Sequence, residues 1–234
     1  RAGGWAERIC VPAVWIVPIP NGFTTREAML YGTAGFTAGL SLLALQSHGI
    51  MPERGPVLVT GASGGVGSIA VRLLARQQYE VVAITGKQAM RATLLDWGAQ
   101  EVLGRDALGE ATSKPLLPAR WASVIDCVGG TMLATAIKQT SPGGCVAACG
   151  LTGGVELPLT VFPFILRGVT LAGIDSVWCD AARRQQVWNH FANDWRLPNL
   201  DAQVTTVSLD EVGTYVPKIL QGEVAGRVIV APRG

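Results

Sequence analysis

Residues 57–68 read V-L-V-T-G-A-S-G-G-V-G-S, and their chemistry is that of an anion cradle. Gly64, Gly65 and Gly67 remove side chains where a backbone turns tightly and must come close to a ligand, with Ser63 and Val66 set among them. If the turn opens a helix, the first N–H groups of that helix lack partners within it, and the positive end of its dipole faces the same spot. A pyrophosphate suits such a place. A second polar cluster, Thr85-Gly86-Lys87, follows about 20 residues on, where an NAD site carries Asp or Glu to hold the ribose 2′-hydroxyl. Here Thr85 can donate a hydrogen bond, Gly86 leaves room and Lys87 brings a positive charge, with no carboxylate to repel a 2′-phosphate. The expected cofactor is NADPH; the plainer alternative leaves Lys87 a solvated lysine at a helix start.

A glycine fingerprint alone also fits a structural turn, so the flanking elements decide. Val57-Leu-Val-Thr60 is a short apolar run of the kind that becomes a strand buried on both faces. From Val66 onward Ile69, Leu73 and Leu74 mark one helix face, while Arg72, Arg76 and Gln77 mark another. Residues 80–85, E-V-V-A-I-T, give the next strand and complete a βαβ unit. The alternation continues with a helix over 88–97 closed by Gly98, a strand at 101–103 and a polar, proline-bearing loop to Pro118. Strands at 123–128, 144–149 and 169–174 follow, with a helix over 132–139. This order predicts an α/β fold, a doubly wound parallel sheet of the Rossmann kind, with ligand at the strand C-terminal ends.

The flanks read differently. Trp5 to Val11 is expected to be a strand, Val14 to Pro20 a proline-punctuated connection, and Thr24 to Glu27 a helix N-cap with an acid in the first turn. A glycine-rich helix then runs to His48. Beyond Asp180 helices are expected over 180–195 and 209–221, and a terminal strand over 226–230. The expected domains are 29–177 for the dinucleotide and 1–28 with 178–234 as a second unit. The abrupt start and the unpartnered first strand are read as the mark of a fragment lacking its front. Trp178, Trp188 and Trp195 are expected to anchor a core or an interface.

Composition narrows the function classes. With 234 residues, 49% hydrophobic and 15% charged, the chain can bury a sizeable core. A net charge of +2 without a basic cluster argues against nucleic acid. Cys10, Cys127, Cys145, Cys149 and Cys179 form no C-x-x-C pair, which fits reduced thiols in a cytoplasmic core. With only His48 and His190 besides, no metal is expected. Residues 28–52 carry no charge and contain G-x-x-x-G, as a membrane span can, yet their Gly, Ser, Thr, Gln and His content favours a buried helix and no membrane.

Several collinear stretches resemble a known family: T-A-G-F-T-A at 33–38, the glycine loop at 57–68, T-G-K at 85–87, C-G-L-T-G-G at 149–154, P-F-I-L-R-G-V at 163–169, G-I-D-S at 173–176 and G-R-V at 226–228. Together they are similar to the zinc-free, quinone-oxidoreductase-like medium-chain dehydrogenases/reductases, nearest to the NADPH-dependent acrylyl-coenzyme A reductase group. The likeness implies that Ser63, Gly64, Gly65, Val66 and Gly67 line the pyrophosphate and that Thr85, Gly86 and Lys87 hold the 2′-phosphate. It places Arg105 on the adenosine side and Leu151, Ile165 and Ser176 near the nicotinamide half. It implies reduction of a conjugated double bond in an enoyl thioester, with a quinone as the alternative substrate, a homodimer, and a GroES-like barrel of which 1–28 and 178–234 are the remnant. Two departures stand out: the family's S-x-N-Y-K-D motif is absent, and Glu223 stands where a neutral polar residue such as Asn is expected. No catalytic acid is assigned, since Tyr31 at a helix start suits packing better.

Two rivals remain. T-G-x-x-x-G-x-G also fits short-chain dehydrogenases, but Tyr31, Tyr79 and Tyr215 are followed four residues on by Gly35, Ala83 and Ile219 rather than by the lysine that chemistry needs. A non-catalytic NADPH-binding protein would bind the nucleotide without turnover.

Overall fold

The computed structural model describes residues 4–108 and 113–232, without the side chain of Gln203. Part of the polar loop expected before Pro118, residues 109–112, therefore lies outside the described residues, as do residues 1–3. The elements are α1 (Thr25–Ser47), β1 (Val57–Val59), α2 (Gly65–Arg76), β2 (Val81–Ile84), α3 (Arg91–Asp96), β3 (Glu101–Leu103), β4 (Trp121–Asp126) and α4 (Gly130–Lys138). They continue with β5 (Thr140–Ala148), α5 (Phe162–Arg167), β6 (Thr170–Gly173), α6 (Ala181–Ala192), β7 (Val204–Ser208), α7 (Val212–Leu220) and β8 (Arg227–Ala231). The chain divides into two units, Thr33–Trp178 and Arg1–Gly32 with Cys179–Gly234.

The larger unit holds a six-stranded sheet in the order β3-β2-β1-β4-β5-β6, parallel throughout. Val57, Leu58 and Val59 of β1 lie opposite Val81, Val82 and Ala83 on one side and Ser123, Val124 and Ile125 on the other. Strand order reverses at that point, which is where this architecture opens a crevice. Strands paired on both edges and covered on both faces read as nearly unbroken apolar runs, and β1, β2 and β4 are buried at every residue, with Ser123 and Asp126 of β4 hydrogen-bonded. On one face Leu58, Val82, Ile84, Val124 and Val146 gather with Leu133, Ala136 and Ile137 of α4. The spacing of two between Val82 and Ile84 of β2 is the pleat itself.

β4 stops at Asp126, not at Val128 as its sequence suggests, because the Asp126 carboxylate accepts the N–H groups of Val128 (3.3 Å) and Gly129 (2.7 Å). Those donors leave the ladder and the chain turns into α4. α1 is long and apolar enough to cross a membrane, but 67% of its apolar window is buried inside the molecule, including Phe36, Leu40, Leu42 and Leu45. It is interrupted at Gly32, where φ is +50°.

The smaller unit packs aromatic rings. Tyr31 stacks on Phe191 at 4.2 Å and on Phe23 at 5.7 Å, and Phe191 meets Trp188 and Trp195 edge-on. The Tyr31 hydroxyl accepts the N–H of Leu197 at 2.7 Å, so this tyrosine is a packing residue. Trp195 is buried as expected, whereas Trp178 of the larger unit is 84% exposed and anchors no core within the chain. The strand expected over Trp5 to Val11 is not formed, and Trp5 and Ile9 are exposed. β8 pairs instead with β7, parallel, from Val204 opposite Arg227 to Ser208 opposite Ala231. The short crossover through α7 delivers β7 to β8 and completes the ladder locally.

Candidate functional site

The glycine turn at the end of β1 is closed by Gly64 N–H to Gly61 O (2.9 Å) and tied to β2 by Ala62 N–H to Ile84 O (2.9 Å). Gly64 is the N-cap of α2 and brings no side chain to it, and no acidic residue stands in the first turn. The N–H groups of Gly65, Val66 and Gly67 are therefore left facing outward along the helix axis. At Gly67 the helix lies directly on the loop: an added Cβ would sit 2.8 Å from the Cα of Ala62 and collide with the carbonyl of Gly61. Glycine here holds the cradle open by letting its two walls touch behind it.

The second polar group joins the first. Ser63 and Thr85 are both buried, and Thr85 Oγ1 donates to Ser63 Oγ at 2.8 Å while accepting the N–H of Lys87 at 3.0 Å. Arg105, from the segment after β3, lies against Gly86 so closely that a Cβ there would be 2.5 Å from its Nε. Partial burial and the neighbouring Arg105 charge push the Lys87 ammonium below its usual pKa. Two cations held together at a strand end disfavour each other until an anion arrives. Ser63, Gly64, Gly65, Val66, Gly67, Thr85, Gly86, Lys87 and Arg105 are thus assembled at the C-terminal ends of β1 and β2.

Beneath the turn lies a group that the sequence reading passed over. Thr60 Oγ1 donates to Asp126 Oδ1 at 2.6 Å and accepts the N–H of Cys127 at 3.0 Å. With the two N–H groups already named, Asp126 ties the ends of β1 and β4 to the start of α4. Burial raises its pKa, opposed by the bonds from Thr60, Gly129 and Val128. The signal was a lone carboxylate ending the apolar run S-V-I-D, a residue type that enters a core only with partners.

Beyond β4 and β5 the two loops meet backbone to backbone. Gly153 N–H donates to Val128 O at 2.7 Å, and Gly129 bridges Gly154. A Cβ at Gly129 would lie 2.6 Å from Gly154 O and 3.1 Å from the Cα of Leu151, and one at Gly150 would lie 2.5 Å from the carbonyl carbon of Cys127. Leu151 projects from this seam, 65% exposed. Ser176 follows Ile174, whose N–H donates to Ala148 O at 3.0 Å, so it too leaves a strand at the C-terminal edge. Ile165 is 73% exposed on α5, and no described hydrogen bond or ring contact brings it to the glycine turn.

Residues 65–193 match the profile of the family described as zinc-binding dehydrogenase. The acrylyl-CoA reductase AcuI of Ruegeria pomeroyi is 46% identical over 228 residues, 97% of this chain and 69% of that protein. The chain belongs to the zinc-binding dehydrogenase family of medium-chain dehydrogenases/reductases. Among solved structures of the family, the yhdH oxidoreductase from Salmonella enterica in complex with NADP superposes with a TM-score of 0.94 at 45% identity, covering 99% of this chain and 71% of that one. The Bacillus subtilis protein yhfP with NAD bound superposes with a TM-score of 0.91 at 48% identity, covering 94% and 67%. The zinc in the family's description does not fit this chain: among the described residues no three His, Cys, Asp or Glu side chains come together as ligands, so no step is derived through a metal.

Proposed function

We propose that this chain belongs to an NADPH-dependent reductase that saturates the conjugated C=C of an enoyl thioester, with acrylyl-CoA as the reference substrate. The observation that carries the cofactor is the pairing of Lys87 and Arg105 around Gly86, above the Thr85 to Ser63 hydrogen bond, at the position where an NAD site keeps a carboxylate. The substrate class rests on the Ruegeria pomeroyi relative.

The residues present fit a dinucleotide. The open start of α2 offers the N–H groups of Gly65, Val66 and Gly67 to a pyrophosphate, and Gly67 keeps helix and loop in contact behind it. Ser63, Thr85, Lys87 and Arg105 would hold a 2′-phosphate with charge-assisted bonds. Leu151, Ile165 and Ser176 would flank the nicotinamide half, where Leu151 and Ile165 exclude water. Bound there, the reduced cofactor supplies a hydride to the β-carbon of the substrate. Asp126 acts as a positioning residue through Thr60 and the N–H groups of Val128 and Gly129.

The NAD-bound yhfP structure favours a second reading, a crevice that accepts either nucleotide. Titration of the protein with NADPH and NADH separates the two. NADPH is expected to bind more tightly, and Lys87→Ala to remove about 1.5–3 kcal/mol from NADPH binding while leaving NADH nearly unchanged. Equal affinities in the unmutated protein would establish the second reading. NADPH consumption dependent on acrylyl-CoA tests the substrate class, and turnover with a quinone but not with the thioester would overturn it.

A further inference from the structure

Two thiols stand at the ends of adjacent strands, and no step above uses them. Cys127 follows β4 and Cys149 follows β5, one place past the register pair Asp126 and Ala148. Their Sγ atoms are 3.7 Å apart, and both residues are partly exposed. Paired strands run about 4.8 Å apart and a disulfide spans Cα separations of about 4.4–6.8 Å, so closing the bond asks for side-chain rotation and no backbone movement. The backbone is also fixed in that alignment, since Cys149 N–H donates to Asp126 O at 2.9 Å.

We propose that Cys127 and Cys149 form a dithiol that a hydroperoxide oxidises reversibly to a disulfide. The two thiols share a hydrogen bond, and that bond and burial hold the Cys127 thiol well above its usual pKa. Either thiol can open the reaction and its neighbour resolves it, since either sulfur can donate to the other. The thiolate of one attacks an oxygen of hydrogen peroxide, the O–O bond breaks, and the departing hydroxide takes up a proton as water, leaving a sulfenic acid. The other thiol then attacks that sulfur as its own proton is lost, the S–S bond forms, the S–O bond breaks, and a second water leaves. Two electrons pass from the two thiols to the peroxide. An external dithiol returns them. Cys145 is the internal control: it is buried four residues earlier, in β5, and burial pushes its thiol up to about 11.

The chemistry needs neither nucleotide nor substrate, so its test is independent of the reaction proposed above. Reduced protein is treated with hydrogen peroxide, its remaining thiols are alkylated, and a non-reducing tryptic digest is analysed by mass spectrometry. Residues 121–138 carry Cys127 and residues 139–167 carry Cys145 and Cys149, so the bond joins two peptides and fragmentation locates it. The expected result is a Cys127 to Cys149 link, loss of both thiols together, and their return with dithiothreitol. In Cys127→Ser and in Cys149→Ser the link is expected to be lost and a sulfenic acid on the remaining cysteine to be trapped by dimedone. Survival of both thiols in the unmutated protein while exposed Cys10 is consumed, or a link through Cys145, would overturn the proposal, whatever the variants do.

Discussion

Two helices, α2 in the larger unit and α6 in the smaller, treat their own N-termini in opposite ways. α2 begins at a glycine, with no side-chain cap and no acid in its first turn. α6 begins after Asp180, whose carboxylate caps the helix by accepting the N–H of Arg183 at 2.9 Å. One helix end is open to an anion from outside, and the other is supplied with one by the chain. The lesson is that a helix N-terminus offers itself to an outside anion only where the chain leaves it bare.

The sharpest way to break this contrast is to give α2 an acid of its own. Gly64→Asp places a carboxylate at a position that favours Asp as an N-cap, so the fold is expected to persist. A bound pyrophosphate would face a like charge, and nucleotide affinity is expected to fall by roughly 3 kcal/mol or more, read by fluorescence titration. Unchanged affinity would detach the glycine turn from nucleotide binding. A smaller effect is expected from Asp126→Asn, which turns an amide NH₂ toward donors that now meet a carboxylate. Unfolding by denaturant should show a loss of about 1–3 kcal/mol. A null result there would mean the floor under the turn is built by packing alone.

Acid gives the smallest effect and sharpens the comparison by its sign. Hydrogen bonds from Thr24 and Arg196 lower the Glu27 carboxyl from 4.5 to about 2, and those from Ser208 lower Glu211. Both groups belong to the smaller unit, and each folded-state pKa lies below the unfolded one. Their contribution is present in full above pH 4.5 and is lost as pH falls toward about 2. Asp126 of the larger unit is raised, so its folded form takes up a proton before the unfolded chain does, and acidification through that range favours its fold. Hydrogen exchange at falling pH is expected to show the smaller unit opening first; loss of protection starting in β1 or β4 would contradict it.

The strands of the larger unit were legible because burial on both faces demands unbroken apolar runs, and such runs stand out between glycines. The glycine turn and Thr85-Gly86-Lys87 were legible for the same reason as any short-range motif: neighbours in sequence are neighbours in space. The role of Asp126 was not, because a carboxylate ending an apolar run shows that a partner is needed but not that it is Thr60, 66 residues away. The smaller unit misled the reading where it depends on few contacts. Trp5 to Val11 has the composition of a strand but joins no ladder among the described residues, whereas V-T-T-V-S at β7 is short and half polar and becomes a strand only because β8 lies beside it. Arg105 reached the site list through family resemblance, since no spacing rule links it to Gly86.

The seam where Gly129 and Gly130 meet Gly150, Gly153 and Gly154 has a consequence for anyone who maps this protein by saturation mutagenesis. Every larger residue at Gly129 or Gly150 drives a side chain into a facing main chain, so these sites will register as intolerant however the protein is assayed. The same profile is the usual signature of a residue that touches a ligand. Here two loops sharing one layer of space already account for it, so a heat map alone cannot count these residues as ligand contacts. Pairing each variant's activity with its abundance in cells separates the two, because seam variants lose both together while contact variants lose only the first.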